Sequence, residues 1–390
     1  MRQPRELILN VAEQEHCARM REYLAGEIAA AHGWLRFERF MDLALYTPGL
    51  GYYSCGTQKL GEAADFTTAP EIGSLFGACV AAQCAEVLAA LDDGSILEIG
   101  AGSGRLAADV LGQLEDLKCL PAQYWILEIS ADLRERQHRL LESRLPHLLG
   151  RVRWLESPVE KPFDGVVIAN EVLDALPVAR FRWHAGAVEE FGVVIEDERF
   201  AWSARQSSEG FTAACRRLNV ASGWQDGYLS EYCPRLAAWT HAVTRHLRRG
   251  AALWFDYGLP RAQYYFPERR DGTLLCHFRQ RAHDDPLRYP GLQDITAWVD
   301  FTALAEAARA AGFQVAGFTT QAFFLAGLGI DRQMQRIAGG DTRAQARLGG
   351  EARRLMLPGE MGERFKAMAW LKGLDMPLSG FGLQDLRHSL

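Results

Sequence analysis

The sharpest chemical signal in the chain is ILEIGAGSGRLAADVL, residues 96–111. An apolar run ends in Glu98-x-Gly100-x-Gly102-x-Gly104, and a helical pattern follows. Glycines let the backbone turn tightly and approach a ligand closely. A helix N-terminus favours carboxylate or phosphate. In a dehydrogenase fingerprint the third glycine would come one place later, but position 105 is Arg. A second signal lies at the end of the next apolar run, YWILEIS, where Glu128 is placed to accept hydrogen bonds from both hydroxyls of a ribose. Ser157, just after the third run, is either an adenine-side residue or a simple turn former.

Elements must hold these residues in place. Apolar runs at Ile96–Ile99, Tyr124–Ile129, Val152–Leu155, Val166–Ala169 and Ala252–Phe255 alternate with helical stretches, notably Leu106–Leu117 and Ala131–Leu149. That alternation predicts a parallel sheet with crossover helices, its strands covered on both faces. Phe313–Thr319 and Ala322–Leu328 read as the last two strands, and the tail from Asp331 as helical and irregular. Residues 16–45 have helical periodicity. EEFGVVIEDERFAW alternates like a hairpin turned at Glu196-Asp197-Glu198, and Tyr228–Arg248 reads as helical. Leu75–Leu91 reads as a buried helix, too short and too interrupted by Gln83 and Glu86 to span a membrane.

In such a sheet ligands sit outside the carboxyl ends of the strands. The fourth strand ends in VVIANEVLDALP, so Asn170, Glu171 and Asp174 fall beside the ligand. Carboxylates there suit a cationic acceptor such as a guanidinium. The alternative is that Glu171 and Asp174 cap the following helix. The Gly-x-Gly-x-Gly form, with an acid two residues before the first glycine, resembles motif I of class I methyltransferases. In that motif the acid, here Glu98, helps hold the amino-acid end of S-adenosylmethionine (SAM).

The 390 residues are 48% hydrophobic and 24% charged, with a net charge of -6. That suits a soluble globular protein and argues against general nucleic-acid binding. The eight cysteines form no Cys-x-x-Cys pair and look like reduced, buried thiols. His277, His283, Asp284 and Asp285 fit no standard metal spacing, so no metal site is expected. Near-helical spacing of Arg332, Arg336, Arg343, Arg347, Arg353 and Arg354 reads as a solvated face. Acidic Glu6, Glu13 and Glu15 argue against a transit peptide, which points to a cytoplasmic protein without membrane insertion.

The chain further resembles the mitochondrial complex I assembly-factor arginine methyltransferases and their bacterial relatives. The blocks that carry this are FMDLALYTPGLGYY (40–53), DFTTAPEIGSLFG (65–77), LEIGAGSGRLAADVL (97–111), ANEVLDALPVARF (169–181), FDYG (255–258), HDDPLRYPGLQDITAWVDFTAL (283–304) and TQAFFLAGLGI (320–330). The resemblance implies an α/β fold of the Rossmann-like class I type, with about seven mostly parallel strands and insertions. It implies a helical, aromatic extension over 1–59, a methyltransferase domain over 60–330 with an insertion at about 180–245, and a helical extension over 331–390. It implies SAM as cofactor and, as partner, a protein substrate homologous to a respiratory complex I subunit, methylated on arginine. The loop 66–71, with Thr68 and Pro70, would fold over the cofactor, near Asn170. Asp256, Tyr257, Gln293, Asp294 and Thr296 would line the crevice on the substrate side. Ala69 stands where the family usually has Ser, and Val172-Leu173 where it has an aromatic pair. A small-molecule methyltransferase and a non-catalytic SAM-binding assembly factor are the alternative readings. The oligomeric state is left open.

Overall fold

The computed structural model describes residues 8–55, 68–219 and 223–390. It divides into two compact units, one of residues 1–58, 177–233 and 266–297, the other of residues 59–176, 234–265 and 298–390.

The second unit is built on a seven-strand path. Its strands are β1 (Ser95–Ile99), β2 (Tyr124–Leu127), β3 (Val152–Leu155), β4 (Phe163–Asn170), β5 (Leu247–Leu259), β6 (Gln314–Thr320) and β7 (Phe365–Lys372). The order across the sheet is β6-β7-β5-β4-β1-β2-β3, and a two-residue strand at Val299–Asp300 pairs with the end of β5. Strands β1 to β5 run parallel, whereas β7 is antiparallel to both its neighbours. Strand β1 is buried throughout, as are Val166–Ala169 of β4 and Ala251–Asp256 of β5. This is why those runs are apolar without alternation: helices cover both faces of the sheet.

Three helices position the functional residues of this unit. They are α1 (Ser74–Ala89), α2 (Arg105–Asp116) and α3 (Ala131–Arg144). Helix α1 is the expected buried helix and packs on α2. Helix α3 starts at Ser130, whose side chain accepts from Leu133 N.

Two strand assignments need correction. Residues 322–328 are helical, within Gln321–Gly327, and Thr320 caps that helix by accepting from Phe323 N. The seventh strand is Phe365–Lys372, beyond the boundary expected at 330, so the C-terminal segment supplies an interior strand rather than a helical appendage. A seven-residue apolar run does not reveal by its period whether it is strand or buried helix. Residues 331–356 are helical, as Ile330–Ala338 and Thr342–Met356.

The first unit carries the helices Val11–Ala30 and Phe37–Tyr46 and a five-stranded sheet. Its hairpin joins Ala187–Glu196 to Arg199–Gln206 through Asp197 and Glu198, both at positive φ, which is the turn that matches strand twist. Phe37 packs against Trp202 at a tilt, with ring centroids 4.8 Å apart. The segment expected to be helical from Tyr228 begins instead as a strand, Tyr228–Tyr232, that pairs with Ala179–His184; only Leu236–Thr244 is helical. None of the eight cysteines, all among the described residues, forms a disulfide. Among the described residues no helix is long and apolar enough to cross a membrane, and no cluster of metal-ligating side chains occurs.

Candidate functional site

The glycine loop joins β1 to α2. Gly100, Gly102 and Gly104 all have positive φ, at 65, 55 and 84°. Gly104 is the cap residue of α2, and Ser103 Oγ accepts from Arg105 N, the first helical amide, at 3.3 Å. A Cβ on Gly104 would lie 3.1 Å from Gln137 Cα, so the loop and α3 approach each other closely. Gly100 N donates to Leu127 O at 2.9 Å and Gly104 N to Ala101 O at 2.8 Å, which fixes the turn between strand and helix.

Glu128 closes β2 and is buried. Its Oε1 accepts from Ser130 N at 2.9 Å, and its Oε2 accepts from Gln137 Nε2 at 3.1 Å. Burial raises its pKa, and the two hydrogen bonds pull the other way. Gln137 is fully buried and belongs to no sequence motif. Its amide also donates to Gly102 O at 2.9 Å and accepts from Trp154 Nε1 at 3.0 Å. One side chain on α3 thus ties the glycine loop, the β2 acid and β3 together. No local signal marks it, because its partners lie at positions 102, 128 and 154.

Glu98 is also buried, and it accepts from Tyr124 OH at 2.5 Å. Burial pushes its pKa up to about 7, although the Tyr124 bond favours the anion. Its carboxyl therefore has a partner inside the sheet, on the neighbouring strand. Ser157 is exposed in a bend after β3.

Thr68 precedes the short helix Ala69–Ile72, in which Pro70 is buried. Phe66 and Thr67 lie outside the described residues. Ser103, in the glycine loop, donates to Glu71 Oε1, and Ala69 N donates to Glu171 Oε1 at 3.3 Å. The 68–71 segment therefore touches both the glycine loop and the end of β4.

At that end Asn170 Nδ2 donates to Glu171 Oε1 at 3.3 Å, while Asn170 Oδ1 is buried and accepts no hydrogen bond. Glu171 has φ 52°, a left-handed conformation that costs a non-glycine residue about 1 kcal/mol or more. Val172 packs over Gly100, where a Cβ would lie 3.1 Å from its Cγ2. Asp174 is buried, and its Oδ1 accepts no hydrogen bond.

Asp256, at the end of β5, is wholly buried. Its Oδ2 accepts from Leu173 N at 3.0 Å and from Asp174 N at 3.2 Å, and its Oδ1 from Tyr257 N at 2.9 Å. It holds the 171–174 turn in place. The helix-cap alternative for Glu171 and Asp174 does not describe this turn, whose amides bond to Asp256. Burial, then Asp174 and Glu171 nearby, push the Asp256 pKa well up. Burial raises Asp174 to about 6, against a hydrogen bond from the Tyr257 side chain.

Gln293 and Asp294 belong to the first unit. Gln293 Nε2 donates to Pro286 O at 2.8 Å, and Asp294 Oδ1 accepts from Tyr53 OH at 2.9 Å. Thr296 Oγ1 donates to Leu275 O at 3.3 Å. These side chains hold the loops of that unit.

The sheet order, its antiparallel β7, the glycine loop after β1 and the acid after β2 define a Rossmann-like class I methyltransferase domain. Residues 79–319 match the family model described as "Putative S-adenosyl-L-methionine-dependent methyltransferase", and the chain belongs to that family of SAM-dependent enzymes. It is 30% identical over 411 residues to the mitochondrial protein arginine methyltransferase NDUFAF7 of Danio rerio, covering 92% of this chain and 91% of that protein. The protein of the same name from Rattus norvegicus is 28% identical, with 92% and 86% covered. A crystal structure of a Burkholderia thailandensis superfamily member bound to S-adenosyl-homocysteine superposes with a TM-score of 0.94 at 39% identity, covering 98% of this chain and 100% of that one. A native crystal structure from the same organism gives 0.91 at 38%, with the same coverage. The expectation of a cytoplasmic protein is corrected by these comparisons. The curated relatives are named as mitochondrial proteins, and acidic residues near the N-terminus do not decide a compartment.

Proposed function

We propose that this methyltransferase moves the methyl group of SAM to an arginine of a protein substrate, a homologue of a respiratory complex I subunit. The observation that carries the reading is the gathering of Glu171 and Asp174, just beyond the end of β4, around Asp256 of β5. The side chains that act on Asp256 are the acidic Asp174 and Glu171. Asp174 and Asp256 are buried and Glu171 is half-buried; carboxyl groups gathered so closely repel one another, and a guanidinium entering beside them relieves that repulsion. Arginine stays cationic at pH 7 and presents planar donors that match a carboxylate. The relatives named as protein arginine methyltransferases support the same acceptor.

The residues at the glycine loop fit SAM. A cradle of three positive-φ glycines lets a ligand approach the backbone closely, the pinned carboxylate of Glu128 supplies a ribose acceptor, and the unmatched Asn170 Oδ1 supplies a polar group at the methionine end. Thr68 and Pro70 would cover this cradle, and Glu98 would stiffen β1 beneath it. Ser157 would edge the adenine. SAM supplies an already activated methyl group, so no protein nucleophile is needed. The chain's own work is alignment: Glu171 grips the guanidinium, and Asp256 holds the turn that carries Glu171. Tyr257 borders the acceptor side.

The test is Glu171→Gln with the purified complex I subunit homologue as acceptor. The amide keeps the shape and loses the charge, so methylation should fall about a hundredfold while S-adenosyl-homocysteine binding is retained. Label located by mass spectrometry on lysine, or on a free metabolite, overturns the arginine reading.

A further inference from the structure

Arginine methylation leaves one proton over. The Nη electron pair forms the bond to the methyl carbon, and the carbon–sulfur bond breaks with its pair going to sulfur. One Nη–H proton must depart, and the product guanidinium keeps its single positive charge. Some group has to take that proton, because a guanidinium does not release it to water beforehand. The need for such a group rests on arginine being the acceptor, as proposed for this site.

We propose that Asp174 is the proton acceptor, reached through the Tyr257 hydroxyl. Four observations place it there. Asp174 is buried, and its Oδ1 accepts no hydrogen bond, so in a dry site part of its negative charge is left unmatched, which favours taking up a proton. Its backbone N–H is fixed by Asp256 Oδ2 at 3.2 Å, which sets the position of the carboxyl. Tyr257 is half-buried at the end of β5, and its side chain hydrogen-bonds Asp174. Asp256 cannot do the same job, because its oxygens already accept from three backbone amides. In the step, Tyr257 passes its hydroxyl proton to the Asp174 carboxylate and takes the Nη proton in its place. Asp174 ends as a neutral acid and Tyr257 is unchanged. The division of labour also separates Glu171, whose Oε1 accepts from Ala69 N and Asn170 Nδ2, from the proton-carrying group.

The elements that meet at this turn carry these charged and titratable groups. Glu171 lies on its own turn, Asp256 and Tyr257 on β5, and Glu71 on the short helix, bonded to Ser103. Lys366 on β7 is the cross-strand neighbour of Asp256, and its amine donates to the carbonyls of Glu363 and Arg364. Burial raises Asp174 to about 6. A base must be ionised to act, so the methylation rate should fall about tenfold per pH unit below that value and level off above it.

The experiment measures single-turnover methylation of the complex I subunit homologue from pH 5 to 9 for wild type, Asp174→Asn and Tyr257→Phe. Thermal shift with S-adenosyl-homocysteine checks that each variant folds and binds. Asp174→Asn should keep the thermal shift, lose about a hundredfold or more in rate, and lose the acid limb. Tyr257→Phe should slow the reaction and keep the limb. An acid limb that persists in Asp174→Asn, or an undiminished rate, overturns the proposal while leaving arginine methylation intact. Absence of arginine methylation by the wild type overturns the reading beneath it instead.

Discussion

Replacing Gln137 by Ala tests the idea that one buried amide organises the cofactor cradle. The side chain makes three hydrogen bonds, to Gly102 O, Glu128 Oε2 and Trp154 Nε1. At about 1 kcal/mol net for each, the loss to the fold is about 3 kcal/mol. For a domain of this size that lowers the melting temperature by roughly 6–12 °C. The second effect is local. Glu128 loses one of its anchors, though Ser130 N remains, and its carboxylate turns away from the place a ribose would occupy. Losing one hydrogen bond to a charged acceptor costs about 1.5–3 kcal/mol, so S-adenosyl-homocysteine should bind roughly 10- to 100-fold more weakly. Calorimetric titration with S-adenosyl-homocysteine, beside thermal melts, separates the two effects. Glu135→Ala, on the exposed side of the same helix, is the control and should change neither. A destabilised Gln137→Ala protein whose affinity shifts by less than about twofold would refute the reasoning, since the cradle would then be set without this amide.

Two further outcomes are expected from the buried acid and the late strand. Burial raises Glu98 from 4.5 to about 7, so the folded state holds its proton more tightly than the unfolded chain. The stabilisation this gives is complete below pH 4.5 and is lost as pH rises through 7; it is on the order of 3 kcal/mol. Glu98→Gln should flatten that stretch of the melting-temperature curve, and an unchanged slope between pH 4.5 and 7 would count against the burial argument. Deleting residues 331–390 removes β7, which lies between β5 and β6. The shortened chain should be insoluble or molten by near-UV circular dichroism, and a cooperative melt from it would show that the sheet closes without β7.

The glycine turn after β1 was legible in the sequence because its signals are local. Glycines at alternate positions between an apolar run and a helical pattern require positive φ, and all three have it. Glu128 closes the next strand, where a ribose acceptor belongs. Asp197 and Glu198 turn the hairpin where the alternation reverses. Composition could not separate strand from buried helix, so AFFLAGL reads as a strand and folds as a helix, while FKAMAWLK, rich in helix-favouring residues, folds as a strand. Tertiary structure decided the rest. Gln137 gains its role from partners on three other elements, and Asp256 from amides 82 and 83 residues away. Gln293 and Asp294 share a resemblance block with Thr302, yet they fold into the first unit while Thr302 stays in the second. Pattern along a chain records what a residue's neighbours in sequence require. Which buried polar groups must find each other is settled only when burial leaves them no water to bond.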